Sequence, residues 1–452
     1  MYAPHTDADV EAMLAAIGAP SLEKLCAPPQ GLEIKGALDV PPAMAEADAF
    51  AHIGELAQRN AAAHMISFLG AGAYRHYRPP AVSWFATRSE FLTAYTPYQA
   101  EASQGSLQAI YEWQTYICLL TGMDVSNASV YDGATALVEG VVMAVNATGR
   151  RRVAVSRAVH PLYRAVLNTY AAGMGLNVSE LDVALDGTTA LPGALPGGAD
   201  GYCAVVIQSP NFFGRVDRVA AAAALCGASG ALAIQVIAEA LSLAVLKTPR
   251  ELGAHIAVGE GQSFGLPLGY GGPYVGFVAT TKEHVRRLPG RLVGETADVD
   301  GRRAFVLTLQ GREQHIRREL ASSNICTNQA LCALIATVYL AMVGAQGLRA
   351  IAVANLARSR ELARAVCALP GFGIRYAGAY FNELVVDTPL PTAELLPALE
   401  RRGILGGLAL ERFYPEMTNA LLLCATELTT QAEIHGFAGA LEQEAGRAVA
   451  AL

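Results

Sequence analysis

The chain has 452 residues, of which 52% are hydrophobic and only 16% charged, with 44 glycines. That composition excludes a disordered chain, and the length exceeds what a single core usually holds, so a large domain with a smaller one is expected. A formal net charge of −7 offers no cationic face for nucleic acid or an anionic membrane, which leaves small molecules and other proteins as partners.

The opening MYAPHTDADVEAMLAAIGAP lacks a basic stretch followed by an apolar core, so neither a secretory nor an organelle-targeting segment is expected and the chain reads as cytoplasmic. Helical spacing in DADVEAMLAAIG and MAEADAFAHIGELAQRNAAA, either side of APPQGL, predicts an N-terminal helical arm over residues 1–65. From about residue 128, short apolar runs alternate with longer helical stretches, which predicts a parallel sheet covered on both faces in a large domain over 66–325. Within it, the apolar run 231–246 is interrupted by Gln235, Glu239 and Ser242 and falls short of a spanning helix. Residues 326–452 read as a linking helix and a small C-terminal α/β domain, whose last helix starts with a capping box of Thr430 and Glu433. The eight cysteines show no CxxC or Cys/His pattern, so buried free thiols are expected and no metal site.

Ligands of such sheets bind outside the carboxyl ends of the strands. In VYDGATALVEG, Asp132, Gly133, Ala134 and Thr135 open a helix whose free N–H groups suit either a phosphate or simple capping. His160 in SRAVHPLYR, and Asn211 with two aromatics in SPNFFGRVD, suit either the holding of a planar ring or ordinary turn and core packing. Together these features resemble the fold of pyridoxal-phosphate enzymes of the aspartate-aminotransferase type, fold type I. Such an enzyme needs a lysine to form an imine and an acid for the pyridine nitrogen. Yet the Gly-rich loop GEGQSFGLPLGYGGP at 259–273 holds no lysine, and only Lys24, Lys35, Lys247 and Lys282 occur in the chain. Glu239 is the one acid near the end of ALAIQVIAEA.

Four blocks make the resemblance specific: SFLGAGAYRHYRPPAV (67–82), residues 96–137 beginning TPYQAEASQGS, VGEGQSFGLPLGYGGPYVGF (258–277), and residues 288–334 beginning LPGRLVGETADVDG. They resemble the P-protein family of the glycine cleavage system, in particular the first chain of its two-chain form. That resemblance implies a homologous second subunit carrying the cofactor lysine in a motif like His-Lys-Thr-Phe, shortly before a Gly-rich loop ending in Pro. Setting that loop on GYGGP places Gln262 at the lysine position, so no pyridoxal phosphate is held covalently here and the cofactor belongs to the partner. The implied reaction is decarboxylation of glycine and transfer of its aminomethyl group to the lipoyl arm of the H-protein. Tyr95 and Tyr98 in AYTPYQ, with His76 in AYRHYRPP, are the candidates to act in trans, and interface packing is the plain alternative. Arg312, Arg317 and Arg318 in REQHIRRELAS suit an acidic carrier, or a solvated helix face. His255 stands where the family has Asp, which a local packing change is enough to explain. Two other readings are a purely structural or regulatory subunit, and an independent pyridoxal-phosphate enzyme using Lys247.

Overall fold

A computed structural model describes residues 4–32, 36 and 38–450, with side chains through 447; Lys35 lies outside the described residues. The chain forms two compact units, 1–63 and 64–452. In the first, helices α1 (Asp7–Ile17), α2 (Leu22–Leu25) and α3 (Glu46–Gln58) bury none of their residues. Thr6 and Asp9 form a reciprocal capping box on α1, and Gly18, at φ 70°, ends it. The helices predicted for this stretch are present, and the unit ends at 63.

The second unit is built on a seven-stranded sheet. Its strands follow a short β1 (Ile66–Ser67) in the chain: β2 (Val125–Ser126), β3 (Arg152–Ser156), β4 (Asn177–Leu181), β5 (Tyr202–Gln208), β6 (Leu232–Ile237), β7 (Ile256–Glu260) and β8 (Gly276–Thr280). The spatial order is β2-β8-β7-β6-β5-β3-β4, with β8 antiparallel to its neighbours and the other pairings parallel. Alternate residues of each strand serve two cores. Val205, Ile207, Ala233 and Ile237 pack with Trp113, Ile117, Val219 and Tyr339 on one face. Ala204, Val206, Ile234 and Val236 pack with Leu137, Val141 and Leu167 on the other. Strands buried on both sides read as unbroken apolar runs, as these do.

The helices on the first face are Gln104–Thr121, Val219–Ser229 and the start of Ala330–Cys367. The last is long and apolar enough by composition to cross a membrane, but Gly344, at φ 59° and ψ 178°, breaks it, and Ala333, Ala336, Tyr339 and Leu340 sit in the core of the sheet. Beyond it, a four-stranded antiparallel sheet comprises Gly373–Ile374, Glu383–Asp387, Ala420–Cys424 and Leu408–Ala409 in that order. It packs under the final helix, Gln431–Ala450, where Thr430 and Glu433 form the expected capping box. Phe68, directly after β1, stacks on Phe437 of that helix with ring centroids 4.3 Å apart.

Two expectations are corrected. The arginine run forms no single helix: residues 310–320 are separate single turns, interrupted by Arg318 at φ 54°, so Arg312, Arg317 and Arg318 do not form one stripe. Four cysteines, Cys203, Cys226, Cys332 and Cys424, are buried, whereas Cys26 and Cys326 are exposed; all eight are free thiols.

The helix Gly133–Thr148, which opens at the strand ends, sits on the sheet through Gly140, where an added Cβ would lie 2.9 Å from Val258 Cγ1. Gly140→Leu should lift the helix from β7 and lower stability by about 1–3 kcal/mol. A denaturant midpoint equal to that of the wild type would show that the seat is loose.

Candidate functional site

The carboxyl ends of β5, β6 and β7 deliver Gln208, Glu239 and Gln262 to one buried region of the second unit. Gln262 is 1% exposed, and its amide is fully engaged. Its Oε1 accepts from Tyr74 N at 2.9 Å, while its Nε2 donates to Tyr74 O at 3.0 Å and to Leu266 O at 3.0 Å. A side-chain amide here does what a neighbouring β-strand would do for one residue of backbone, and no ammonium can imitate it, because it has no lone pair with which to accept.

Tyr74 belongs to a strap, residues 70–77, that crosses the strand ends. The sequence GAGA makes the crossing feasible: Gly72 has φ 95°, Ala71 has φ 61°, and an added Cβ on Gly72 would lie 2.8 Å from His160 Nε2. Ala71 N donates to Glu383 Oε1 at 2.6 Å, and Tyr74 Oη donates to Glu383 Oε2 at 2.9 Å. Thr426 Oγ1 donates to Arg75 O, and Tyr77 N donates to Glu427 Oε1. The strap is thereby tied to both the large and the small sheet.

Hydrogen-bond logic fixes the state of both histidines. His160 Nδ1 accepts from Leu162 N at 3.2 Å, so its Nε2 must carry the proton that faces Ala71 O at 2.8 Å, and the ring is neutral. Burial pushes its pKa down to about 4 in agreement. His76 is the opposite case: Nε2 faces Glu239 Oε2 at 3.0 Å and Nδ1 faces Glu427 Oε2 at 2.8 Å, so both nitrogens donate. Burial alone would lower its pKa, but the Glu239 and Glu427 carboxylates outweigh burial and raise it to about 9. Asn382 Nδ2 and Asn355 Nδ2 add one bond each, to Glu239 and Glu427 respectively.

Of the two readings of the helix N-terminus at 132–135, the structure shows the capping one, with Thr135 N donating to Asp132 Oδ1 at 2.7 Å. Gly133 N instead donates to Glu260 Oε2 at 2.9 Å. Glu260, at the end of β7, also accepts from Val275 N and Gln262 N, and burial pushes its pKa up to about 7. Asn211 does not face a ligand space: its Nδ2 donates to Asp217 Oδ2 and Gly187 O, and Phe212 and Phe213 are core residues.

The three residues proposed to act in trans are not brought together. His76 is enclosed between the two carboxylates, with its side chain 3% exposed. Tyr95 and Tyr98 are 82% and 63% exposed on the surface, where the Arg291 guanidinium lies 5.6 Å from the Tyr98 ring centroid and Tyr95 rims an apolar cleft with Phe91, Leu92 and Leu331. Lys24, Lys247 and Lys282 are exposed. Lys247 rims a separate cleft of ≈ 330 Å³ with Ser209, Asp217 and Gln235. His255 bonds locally, accepting from Ala233 N. Residues missed from the sequence are Tyr74, Glu260, Glu383 and Glu427; Glu383 left a trace as an acid opening the apolar strand ELVVD.

The family described as "Glycine cleavage system P-protein" matches residues 1–441. The probable glycine dehydrogenase (decarboxylating) subunit 1 of Moorella thermoacetica is 49% identical over 441 residues, covering 97% of this chain and 98% of its own length. That of Anaeromyxobacter dehalogenans is 50% identical over 446 residues, covering 97% and 99%. Among solved structures, glycine decarboxylase (P-protein) of the glycine cleavage system, in an inhibitor-bound form, superposes with a TM-score of 0.88 at 44% identity, covering 98% of this chain and 99% of that one. A glutamate decarboxylase from Lactobacillus brevis shares the fold, with a TM-score of 0.67 at 14% identity over 92% of this chain and 95% of its own.

The strap network makes stability depend on pH in one direction above the carboxylate range. Free imidazole titrates near 6.5 and His76 at about 9, so its stabilisation is complete below 6.5 and is lost as pH rises through 9. Glu383 and Glu260, both raised by burial from 4.5 to about 7, hold protons more tightly when folded, so their ionisation costs stability between those values. The thermal midpoint should therefore fall as pH is raised from about 7 to about 9, and His76→Gln should flatten that slope. Parallel profiles for the two proteins would show that no imidazolium is held there.

Proposed function

The chain belongs to the glycine cleavage system P-protein family, and from that membership we propose that it is the cofactor-free half of a two-chain glycine dehydrogenase (decarboxylating). The observation that carries this reading is Gln262. It stands after β7, where the resemblance puts the cofactor lysine, and its amide is committed at both ends to backbone. A primary amide forms no imine with an aldehyde, and the exposed Lys247 joins none of the bonds around Gln262.

On this reading, pyridoxal phosphate is held by the homologous second subunit, where it supplies the electron sink for loss of the glycine carboxylate. The H-protein lipoyl arm then takes the aminomethyl group. This chain's own residues do two things. The buried network of Glu239, Glu383, Glu427 and His76 fixes the strap that leads to the surface segment 77–98. Tyr95 and Tyr98 stand free on that segment, with phenol hydroxyls available to the substrate space of a partner. His76 supports them from within and reaches no partner itself.

The direct test is glycine-dependent exchange of labelled bicarbonate, with pyridoxal phosphate and H-protein present, for each chain alone and for the mixture. Exchange only in the mixture is expected; exchange by this chain alone would defeat the proposal. In the mixture, the double substitution Tyr95→Phe, Tyr98→Phe should slow exchange about tenfold or more while the chains still pair. An unchanged rate would reduce both rings to packing.

A further inference from the structure

Pyridoxal phosphate in this fold asks three things of a chain: free N–H groups at a helix N-terminus for the phosphate, an open aromatic face for the ring, and an amine. In this chain all three places are used internally. The Glu260 carboxylate takes the N–H of Gly133 at 2.9 Å, together with those of Val275 and Gln262. A second anion there would meet a buried carboxylate at contact distance, and the space is closed as well: a Cβ added to Gly133 would lie 2.9 Å from Tyr163 Cζ and 3.0 Å from Glu260 Cβ. The His160 ring is stacked on Tyr163 with centroids 4.8 Å apart, Phe212 stands edge-on to it at 4.9 Å, and its Nε2 is bonded to Ala71 O. Over Gln262 lies the strap backbone. The residues present do not fit the cofactor.

We infer that the cofactor's place in this chain is filled by the chain's own groups, Glu260 standing in for the phosphate and the strap 70–77 covering position 262, so that returning a lysine there does not restore cofactor binding. The inference rests on the reading of this chain as the half without a cofactor lysine and goes beyond it, since the missing amine becomes one of three separate barriers. An internal anion also frees the fold from any ligand: the helix N-terminus that a phosphate would stabilise is already satisfied.

The full-length wild type, Gln262→Lys and Glu260→Ala are compared, each first shown to pair with the second chain. After incubation with pyridoxal phosphate and borohydride trapping, Gln262→Lys should carry label at position 262 at less than about a tenth of the level on the second chain's cofactor lysine, and near-equal labelling would overturn the inference. With inorganic phosphate alone, the thermal midpoint of the wild type should not move, whereas that of Glu260→Ala should rise as phosphate replaces the lost carboxylate. A midpoint of Glu260→Ala as indifferent to phosphate as the wild type's would equally overturn it. If Glu260→Ala does not fold, Glu260→Ser, which likewise removes the carboxylate and opens the space before Gly133 N, is read the same way. Trapped label on the wild-type chain itself would instead defeat the underlying reading of a chain without its own cofactor lysine, an outcome distinct from the other two.

Discussion

Everything around the strand ends depends on one two-point contact, in which the Gln262 amide accepts from the N–H and donates to the C=O of the same residue, Tyr74. Backbone buried away from water must find partners, and the strap 70–77 has no strand beside it to provide them. The side chain of a strand-end residue fills that role, and Glu383, Glu427 and Thr426 supply the remaining bonds. An ammonium group at 262 would leave Tyr74 N without an acceptor, so the chemistry that seats the strap and the chemistry that holds a cofactor exclude each other at this position.

The strap brings a charge problem with it. Glu239 and Glu383 are almost fully enclosed, and Glu427 lies close by. Bringing three carboxyl groups together away from water costs free energy unless they are hydrogen-bonded and a counter-charge lies between them. The structure answers with one imidazolium shared by Glu239 and Glu427, and with a Glu383 carboxyl whose pKa burial raises to about 7. Cys424 lies against the same group and is held as a thiol, first by burial and then by these carboxylates. Tyr74, Asn355 and Asn382 donate the remaining hydrogen bonds. Each of the carboxylates Glu239, Glu383 and Glu427 accepts from at least two donors, so the surface segment beyond Tyr77 starts from a fixed point.

Glu260 applies the same economy at the other end of the region. A helix N-terminus at the edge of a parallel sheet is a ready anion site, and here the carboxyl of the last residue of the adjacent strand accepts its N–H. The fold shared with the P-protein structure is thus kept whole, with these strand ends hydrogen-bonded internally. Tyr95 and Tyr98, by contrast, are exposed and take no part in this buried network.

Much of this was legible in the sequence. The apolar runs with intervening helical stretches were enough for a doubly covered parallel sheet, because strands buried on both faces admit nearly no polar side chain. The capping box of Thr430 and Glu433 was legible because a cap is satisfied within four residues, whereas the helix start at Asp132 left phosphate and capping both open. That the Gly-rich loop 259–273 carries Gln262 and no lysine was legible directly. The roles of His76, Glu239, Glu383 and Glu427 were not, since the bonds that join them to the strap, to one another and to Asn355 and Asn382 span from 72 to 351 positions and no local pattern records such a meeting. Local periodicity and turn chemistry fix which elements form. Which buried carboxyl faces which imidazole, and that Glu260 meets Gly133 across the sheet edge, is decided only when the strands align, because desolvation and hydrogen bonding depend on where the chain brings those groups together.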